Sequence, residues 1–336
     1  MKEAVLLVNL GTPDNPSTGK VAKYLTQFLN DRRVIDINAF ARFALVNLVI
    51  VPFRSFKSAG LYKRIWTEKG SPLLFHSEAL KIKLQEKMPE YVVELAMRYQ
   101  KPSIHQALEN LRKQKPSRIH VIPLYPQYAS SSTGSTIEEV LNCIKGWEVI
   151  PDLNIVSKFY DHPAFQRALL VEAKKHDHTQ YDHVIFSYHG LPERQIRKAS
   201  AHYGGDTCRL GDCCNKITIN NQFCYRANSF ETTRQLVKAL NIPEGKYTTT
   251  FQSRLDDKWL KPYSDKVVEE LAKKGAKKLL VFSPAFVADC LETIFEIGTE
   301  YEEIFREHGG ESITLVNSLN SSPEWVDALS EMVRGK

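Results

Sequence analysis

Eight short β-branched and apolar runs punctuate the chain, and the stretches between them carry helical periodicity. The runs lie at 5–10, 92–97, 119–124, 155–159, 184–187, 247–251, 279–282 and 313–316. Amphipathic stretches at 78–87, 105–114, 136–143, 264–274 and 292–305 fall between them. Strand alternating with helix points to βαβ units and a parallel sheet, because parallel neighbours need a long crossover connection. Eight strands fit a (β/α)8 barrel or two doubly wound domains of four strands each. An internal echo favours the second. Ile119-His120-Val121-Ile122-Pro123-Leu124-Tyr125-Pro126 resembles Leu279-Leu280-Val281-Phe282-Ser283-Pro284-Ala285-Phe286. Each precedes a helix, and each is the third strand of its set of four. The predicted fold is α/β, with an N-terminal domain at 1–160 and a C-terminal domain at 161–322. The boundary falls near Asp161-His162-Pro163, and the last helix, 323–336, packs back on the first domain.

The net charge of +6 comes without basic runs, which argues against nucleic-acid binding. It suits carboxylated ligands or lipid headgroups. Met1-Lys2-Glu3 leads directly into an apolar run at 4–11, which reads as a first strand and not as a signal peptide. No run of about twenty apolar residues is present, so no spanning helix is expected and the chain is assigned to the cytoplasm. The stretch 39–57 is apolar with basic ends, yet too short and interrupted to span a bilayer. It reads either as a core helix or as a lip that touches lipid or a flat hydrophobic ligand.

Three constellations carry chemistry. The first begins at Val184-Ile185-Phe186-Ser187-Tyr188-His189-Gly190-Leu191-Pro192, a buried strand stopped by Gly and Pro. In an open α/β sheet, ligands sit beyond the carboxyl ends of the strands, so His189 stands at the rim of such a crevice. Glu292, Glu296 and Glu300 follow at i, i+4 and i+8, on one face of a predicted α-helix that starts beyond strand 279–282. Like charges at this spacing cost roughly 0.2–0.5 kcal/mol per pair. Glu300 and Glu303 read as a solvated face. His189 with Glu292 and Glu296 suits a divalent metal or a proton relay.

The second runs from Pro123 to Thr136, a hydroxyl-rich turn whose glycine spacing matches neither nucleotide fingerprint. Ser135-Thr136 reads there as a helix N-cap, and Tyr125 and Tyr128 suit an aromatic ligand. The third is the set Cys208, Cys213, Cys214 and Cys224, four of six cysteines, spaced C-x4-C-C-x9-C. In a cytosolic chain this density argues for metal over disulfides, either zinc or an iron–sulfur cluster, and the absence of paired C-x2-C units favours the latter.

The chain resembles the ferrochelatases, which insert ferrous iron into a porphyrin to make haem. The resemblance covers nearly the whole length. It rests on Leu7-Val8-Asn9-Leu10-Gly11-Thr12-Pro13, Tyr62-Lys63-Arg64-Ile65 with Gly70-Ser71-Pro72-Leu73, Met97-Arg98-Tyr99 and Tyr125-Pro126-Gln127-Tyr128. Ser187 to Pro192, Phe251-Gln252-Ser253-Arg254 with Trp259-Leu260-Lys261-Pro262, and Leu291-Glu292-Thr293 with Glu296 complete it. The resemblance implies two Rossmann-like domains with the porphyrin in a cleft between them. It implies His189 and Glu292 as the catalytic pair and substrate-iron ligands, with Glu296 behind Glu292, and the segment 39–53 as an active-site lip.

Tyr62 and Tyr128 become candidate ring contacts, and Arg64 and Arg98 candidate partners of propionates. Cys290 stands where some members carry histidine. The four cysteines, within 201–226, resemble a bacterial subgroup with an internal [2Fe-2S] cluster. The implied substrates are ferrous iron and protoporphyrin IX, with coproporphyrin III as the alternative. A non-enzymatic haem- or iron-binding protein or iron–sulfur sensor is the rival from another class. Peripheral contact with the inner membrane surface, and a monomer or homodimer, complete the expectation.

Overall fold

In the computed structural model, residues 2–203, 205 and 207–335 are described; Met1, Lys336 and, within the cysteine segment, Gly204 and Asp206 lie outside them. The described strands form two four-stranded parallel sheets. The first holds β1 (Glu3–Gly11), β2 (Tyr91–Tyr99), β3 (Arg118–Pro123) and β4 (Asp152–Ile155), in the order β2-β1-β3-β4. The second holds β5 (His183–His189), β6 (Tyr247–Gln252), β7 (Lys278–Phe282) and β8 (Ser312–Leu315), in the order β6-β5-β7-β8. The two orders are the same pattern, the structural counterpart of the internal echo. The chain divides into two compact units. One comprises the residues up to Tyr125, Ala129–Ser157 and the stretch from Ser321, and the other comprises Pro126–Tyr128 and Lys158–Asn320.

Parallel strands with helices on both faces are buried on both sides, which is why the central ones read as continuous apolar runs. Ala4 through Val8 of β1 are fully buried, and Val184 through Tyr188 of β5 nearly so. In the first unit the core packs β1 and β3 against the helices Ile104–Lys113 and Ser135–Ile144. In the second it packs β5 and β7 against Ser264–Lys273 and the helix that begins at Glu292. The helix Pro323–Arg334 lies in the first unit, where Lys87 pairs with Asp327 and Arg334 with Glu90.

Two expectations need correction. The fourth strand is Asp152–Ile155, not 155–159. It is an edge strand with alternating exposure, so it lacks an apolar run, and Arg118 meets Asp152 across the ladder. The apolar residues after it serve the second unit: Phe159 is buried, edge-on to Phe165 at 5.1 Å.

The stretch 39–57 is also longer than expected. It belongs to a helix of 27 residues, Ala39–Ile65, whose most apolar window has mean hydropathy 1.5 and is only 17% buried. By length and composition this helix could cross a membrane. Asn38 caps its start by accepting from the Phe40 and Ala41 amides. A π-helical stretch, Leu45–Ile50, then passes into the α-helix Val51–Ile65. Pro52 lies inside this continuous helix, directly after the π-helical stretch, whose altered register accompanies the residue that lacks an N–H.

Candidate active site

The order β6-β5-β7-β8 places β6 and β7 on opposite sides of β5, which makes the carboxyl end of β5 a topological switch point. His189 is the last residue of that strand. Its ring is half-buried, and Phe286 stands edge-on at 6.3 Å. Its Nδ1 is buried and has no hydrogen-bond partner among the described residues. The main chain is held from two sides. The Tyr225 hydroxyl donates to the His189 carbonyl at 2.8 Å, and the Gly190 amide donates to the Gln252 carbonyl at 2.8 Å. A Cβ at position 190 would lie 2.6 Å from that Gln252 oxygen, so only glycine allows this approach.

The acidic helix beyond β7 is not the α-helix that the spacing predicts. Glu292–Tyr301 is π-helical, followed by the α-helix Glu302–Glu307. The i→i+5 register brings Tyr301 onto Glu296, where its hydroxyl donates at 2.9 Å. The same carboxylate accepts from the Ser253 amide at 2.6 Å, the Ser253 hydroxyl at 2.5 Å and Gln252 Nε2 at 3.1 Å. Four neutral donors thus fill the two oxygens of Glu296. Ser253 reaches it from a left-handed backbone with φ 60°, a conformation costing a non-glycine residue about 1–2 kcal/mol. Burial and the Glu296 charge push the Tyr301 phenol well above its ordinary pKa, so it stays a donor.

Glu292 is half-buried, and its carbonyl accepts from Gln252 Nε2 at 3.0 Å. Its carboxylate lies against Cys290. Burial first, and that carboxylate second, raise the Cys290 thiol well above its usual value. The turn before the helix is fixed by Asp289, which accepts from Thr293 Oγ1 at 3.2 Å and Asn320 Nδ2 at 2.7 Å. Glu300 and Glu303 are exposed, as the solvated-face reading expects. His189, Glu292 and Glu296 therefore share one sheet edge, joined through Gln252.

The first unit treats its predicted contacts differently. Arg98 does not offer its guanidinium to a ligand. It is spent on buried Asp31 at 2.7 Å and on Ser135 Oγ at 2.7 Å, and only 14% of its side chain is exposed. Although burial works the other way, hydrogen bonds from Ser135 and the Arg33 amide, with the Arg98 charge, hold Asp31 below its usual pKa. Ser135 is no N-cap either. A π-helical turn, Ser130–Gly134, precedes it, and its hydroxyl donates to Asp31 at 2.5 Å. Tyr62 is buried, edge-on to Tyr24 at 6.2 Å and Trp66 at 6.4 Å, while Arg64 is exposed. In the second unit Tyr128 is half-buried against Phe223, 5.5 Å away.

All four cysteines of the segment are free thiols. Cys213 and Cys214 have their sulfurs 3.9 Å apart, and the Arg209 amide donates to Cys213 Sγ at 3.3 Å. A hydrogen bond with Cys224, and then burial, raise Cys214; the same bond lowers Cys224. Cys214 thus meets both Cys213 and Cys224, and among the described residues no three His, Cys, Asp or Glu side chains form a group that could hold a metal ion. Cys224 also precedes the helix Tyr225–Leu240, whose first residue is the one that holds the His189 carbonyl.

Sequence reasoning gave no role to Gln252, Ser253, Tyr225 or Tyr301. Gln252 and Ser253 appeared only inside a family motif, and the other two carry no local signal.

The family model for ferrochelatase matches residues 2–336. A ferrochelatase of Legionella pneumophila (strain Lens) is 45% identical over 335 residues, covering 99% of each chain. One of Coxiella burnetii (strain CbuK_Q154) is 42% identical over 336 residues, covering 99% of this chain and 93% of the relative. Among solved structures, the sirohydrochlorin chelatase SirB from Bacillus subtilis subspecies spizizenii, in complex with cobalt, superposes with a TM-score of 0.56 at 13% identity. That match covers 99% of this chain and 94% of SirB, and shows a shared fold.

Proposed function

This chain belongs to the ferrochelatase family and is a metal chelatase that inserts iron into a porphyrin in haem synthesis; we propose that His189 and Glu292 carry the reaction and that the macrocycle is protoporphyrin IX. The observation behind these roles is the shared sheet edge, with Gln252 bonded to the Glu292 carbonyl and standing opposite His189 in the ladder.

Insertion requires that two pyrrole protons leave and that the nitrogen lone pairs turn toward the incoming ion. A neutral imidazole is a competent acceptor for a pyrrole proton, and His189 takes that role. Carboxylates exchange readily for water on divalent iron, and the half-buried Glu292 takes that role. Glu296, saturated by four donors, is a fixed anion behind Glu292 and not an iron ligand. A site complementary to a bent macrocycle lowers the metal-entry barrier more than one complementary to the flat substrate. Tyr128 and the exposed Arg64 remain the proposed porphyrin contacts. Comparing turnover on protoporphyrin IX and coproporphyrin III tests the substrate. Preference for the latter would replace the macrocycle and leave the site roles intact. Tight porphyrin binding without turnover would favour the carrier reading.

The helix Ala39–Ile65 supports peripheral contact with the cytoplasmic face of the inner membrane. Phe40, Leu48, Phe53 and Phe56 are each at least 70% exposed, with Arg54 and Lys57 beside them. This is the pattern of a surface that enters the headgroup region. Phe40→Ser with Phe53→Ser should abolish sedimentation with anionic vesicles, and unchanged sedimentation would reject the contact. We also assign Cys208, Cys213, Cys214 and Cys224 as the holders of a [2Fe-2S] cluster. Four of the six cysteines lie as free thiols within one short segment, and this sequence density supports it, although among the described residues the side chains form no metal-holding group. No chemical step needs this group; bound, it would fix the segment before Tyr225. Equal iron and acid-labile sulfide with visible absorption after anaerobic purification is the expected result. A colourless protein carrying zinc would overturn it.

A further inference from the structure

We propose that Gln252 is a positioning residue for metal insertion, whose carboxamide sets the spacing between the strand end that carries His189 and the π-helix that carries Glu292 and Glu296. The inference rests on the roles given above to His189 and Glu292.

Gln252 closes β6 and stands opposite His189 in the parallel ladder. It is 1% exposed, and its groups are committed in both directions. Toward β5, its carbonyl accepts from the Gly190 amide at 2.8 Å, and its Oε1 accepts from the Ser187 hydroxyl at 2.8 Å. Toward the π-helix, its Nε2 donates to the Glu292 carbonyl at 3.0 Å and to the Glu296 carboxylate at 3.1 Å. One side chain therefore bridges the two elements that hold the reacting groups.

The chemistry of the bridge selects glutamine. The π-helix side presents two acceptors, a carbonyl and a carboxylate, and the β5 side presents a hydroxyl donor. A carboxamide is the neutral group that offers two donors at one end and an acceptor at the other. Glutamate would turn an anion toward Glu296, and asparagine would fall one methylene short. The Ser187 hydroxyl orients the carboxamide and is itself backed by Ser264 Oγ at 2.9 Å. Small displacements of reacting groups cost large factors in rate, so a bridge of this kind acts on turnover more than on porphyrin binding.

Gln252→Met keeps length and removes every side-chain bond. Turnover per porphyrin-binding site, counted by Soret titration, should fall roughly tenfold or more for iron and for zinc, with porphyrin KM within about twofold of the parent. Combined with Glu296→Gln, the variant should lose less than the product of the two single losses, because both alter the Gln252–Glu296 contact. Parent-like turnover per site in Gln252→Met, or single losses that multiply in the double variant, would overturn the proposal. Should Gln252→Met fail to fold, Ser187→Ala decides. It removes only the orienting hydroxyl, and about a threefold fall in turnover per site at unchanged porphyrin KM is expected. Parent-like turnover there rejects the bridge. His189→Ala and Glu292→Gln are measured alongside. If they are inactive while Gln252→Met is not, the bridge alone is wrong. If they retain activity, the reading of the site is wrong.

Discussion

Glu296→Gln is the isosteric change usually chosen to neutralise a carboxylate, and here it should be severe. Oε1 of Glu296 accepts from the Ser253 amide and the Tyr301 hydroxyl, while Oε2 accepts from Gln252 Nε2 and the Ser253 hydroxyl. A carboxamide must turn its NH2 toward one of these pairs. The Ser253 and Tyr301 hydroxyls can rotate to accept. The Ser253 amide cannot, and Gln252 Nε2 is pinned by the Glu292 carbonyl. Either orientation leaves one N–H facing N–H. A hydrogen bond to a charged group is worth about 1.5–3 kcal/mol, and a buried donor left unmet costs a similar amount. The expected destabilisation is about 2–3 kcal/mol. For a unit of this size that lowers the thermal midpoint by roughly 4–12 °C. Thermal and urea unfolding of the two proteins side by side measure it. Equal stability within about 0.5 kcal/mol would refute the account of Glu296 as a carboxylate held by four donors. Glu292→Gln, at a half-buried position, should by contrast stay within about 1 kcal/mol of the parent.

Two further outcomes follow from the same contacts. Asp31 is held below its unfolded pKa, so it contributes stability above the usual carboxylate range that is lost as pH falls through its lower folded value. Asp31→Asn should therefore cost about 3 kcal/mol at pH 7, by leaving Arg98 buried without its counter-charge. The gap to the parent should narrow below about pH 4 in unfolding curves. Tyr225→Phe deletes the hydroxyl that holds the His189 carbonyl. It should lower stability by about 1 kcal/mol in the same assay and reduce turnover several-fold with little change in porphyrin KM.

What could be read from the sequence follows from where the physics is local. Parallel strands buried on both faces must be apolar throughout, so β1, β3, β5 and β7 stand out without any structure. β4 does not, because one edge of it meets solvent, and Phe159 drew the prediction toward residues that belong to the core of the other unit. The strand end at His189 and the carboxylates beyond β7 were visible because sheet topology alone brings them to one edge. The contacts that fix them were not. Tyr301 meets Glu296 only in a π-helical register, and Gln252 matters only once β6 is laid beside β5. Arg98 looked available for a propionate because its partner, Asp31, lies 67 residues away in the chain.

The central claim is that His189 and Glu292 perform the chemistry. Anaerobic iron insertion, followed by porphyrin absorbance in His189→Ala and Glu292→Gln, tests it most directly. Each variant should bind porphyrin with an unaltered Soret shift and insert iron at least about a hundredfold more slowly than the parent. Insertion at near-parent rate by either variant would contradict the assignment of that residue.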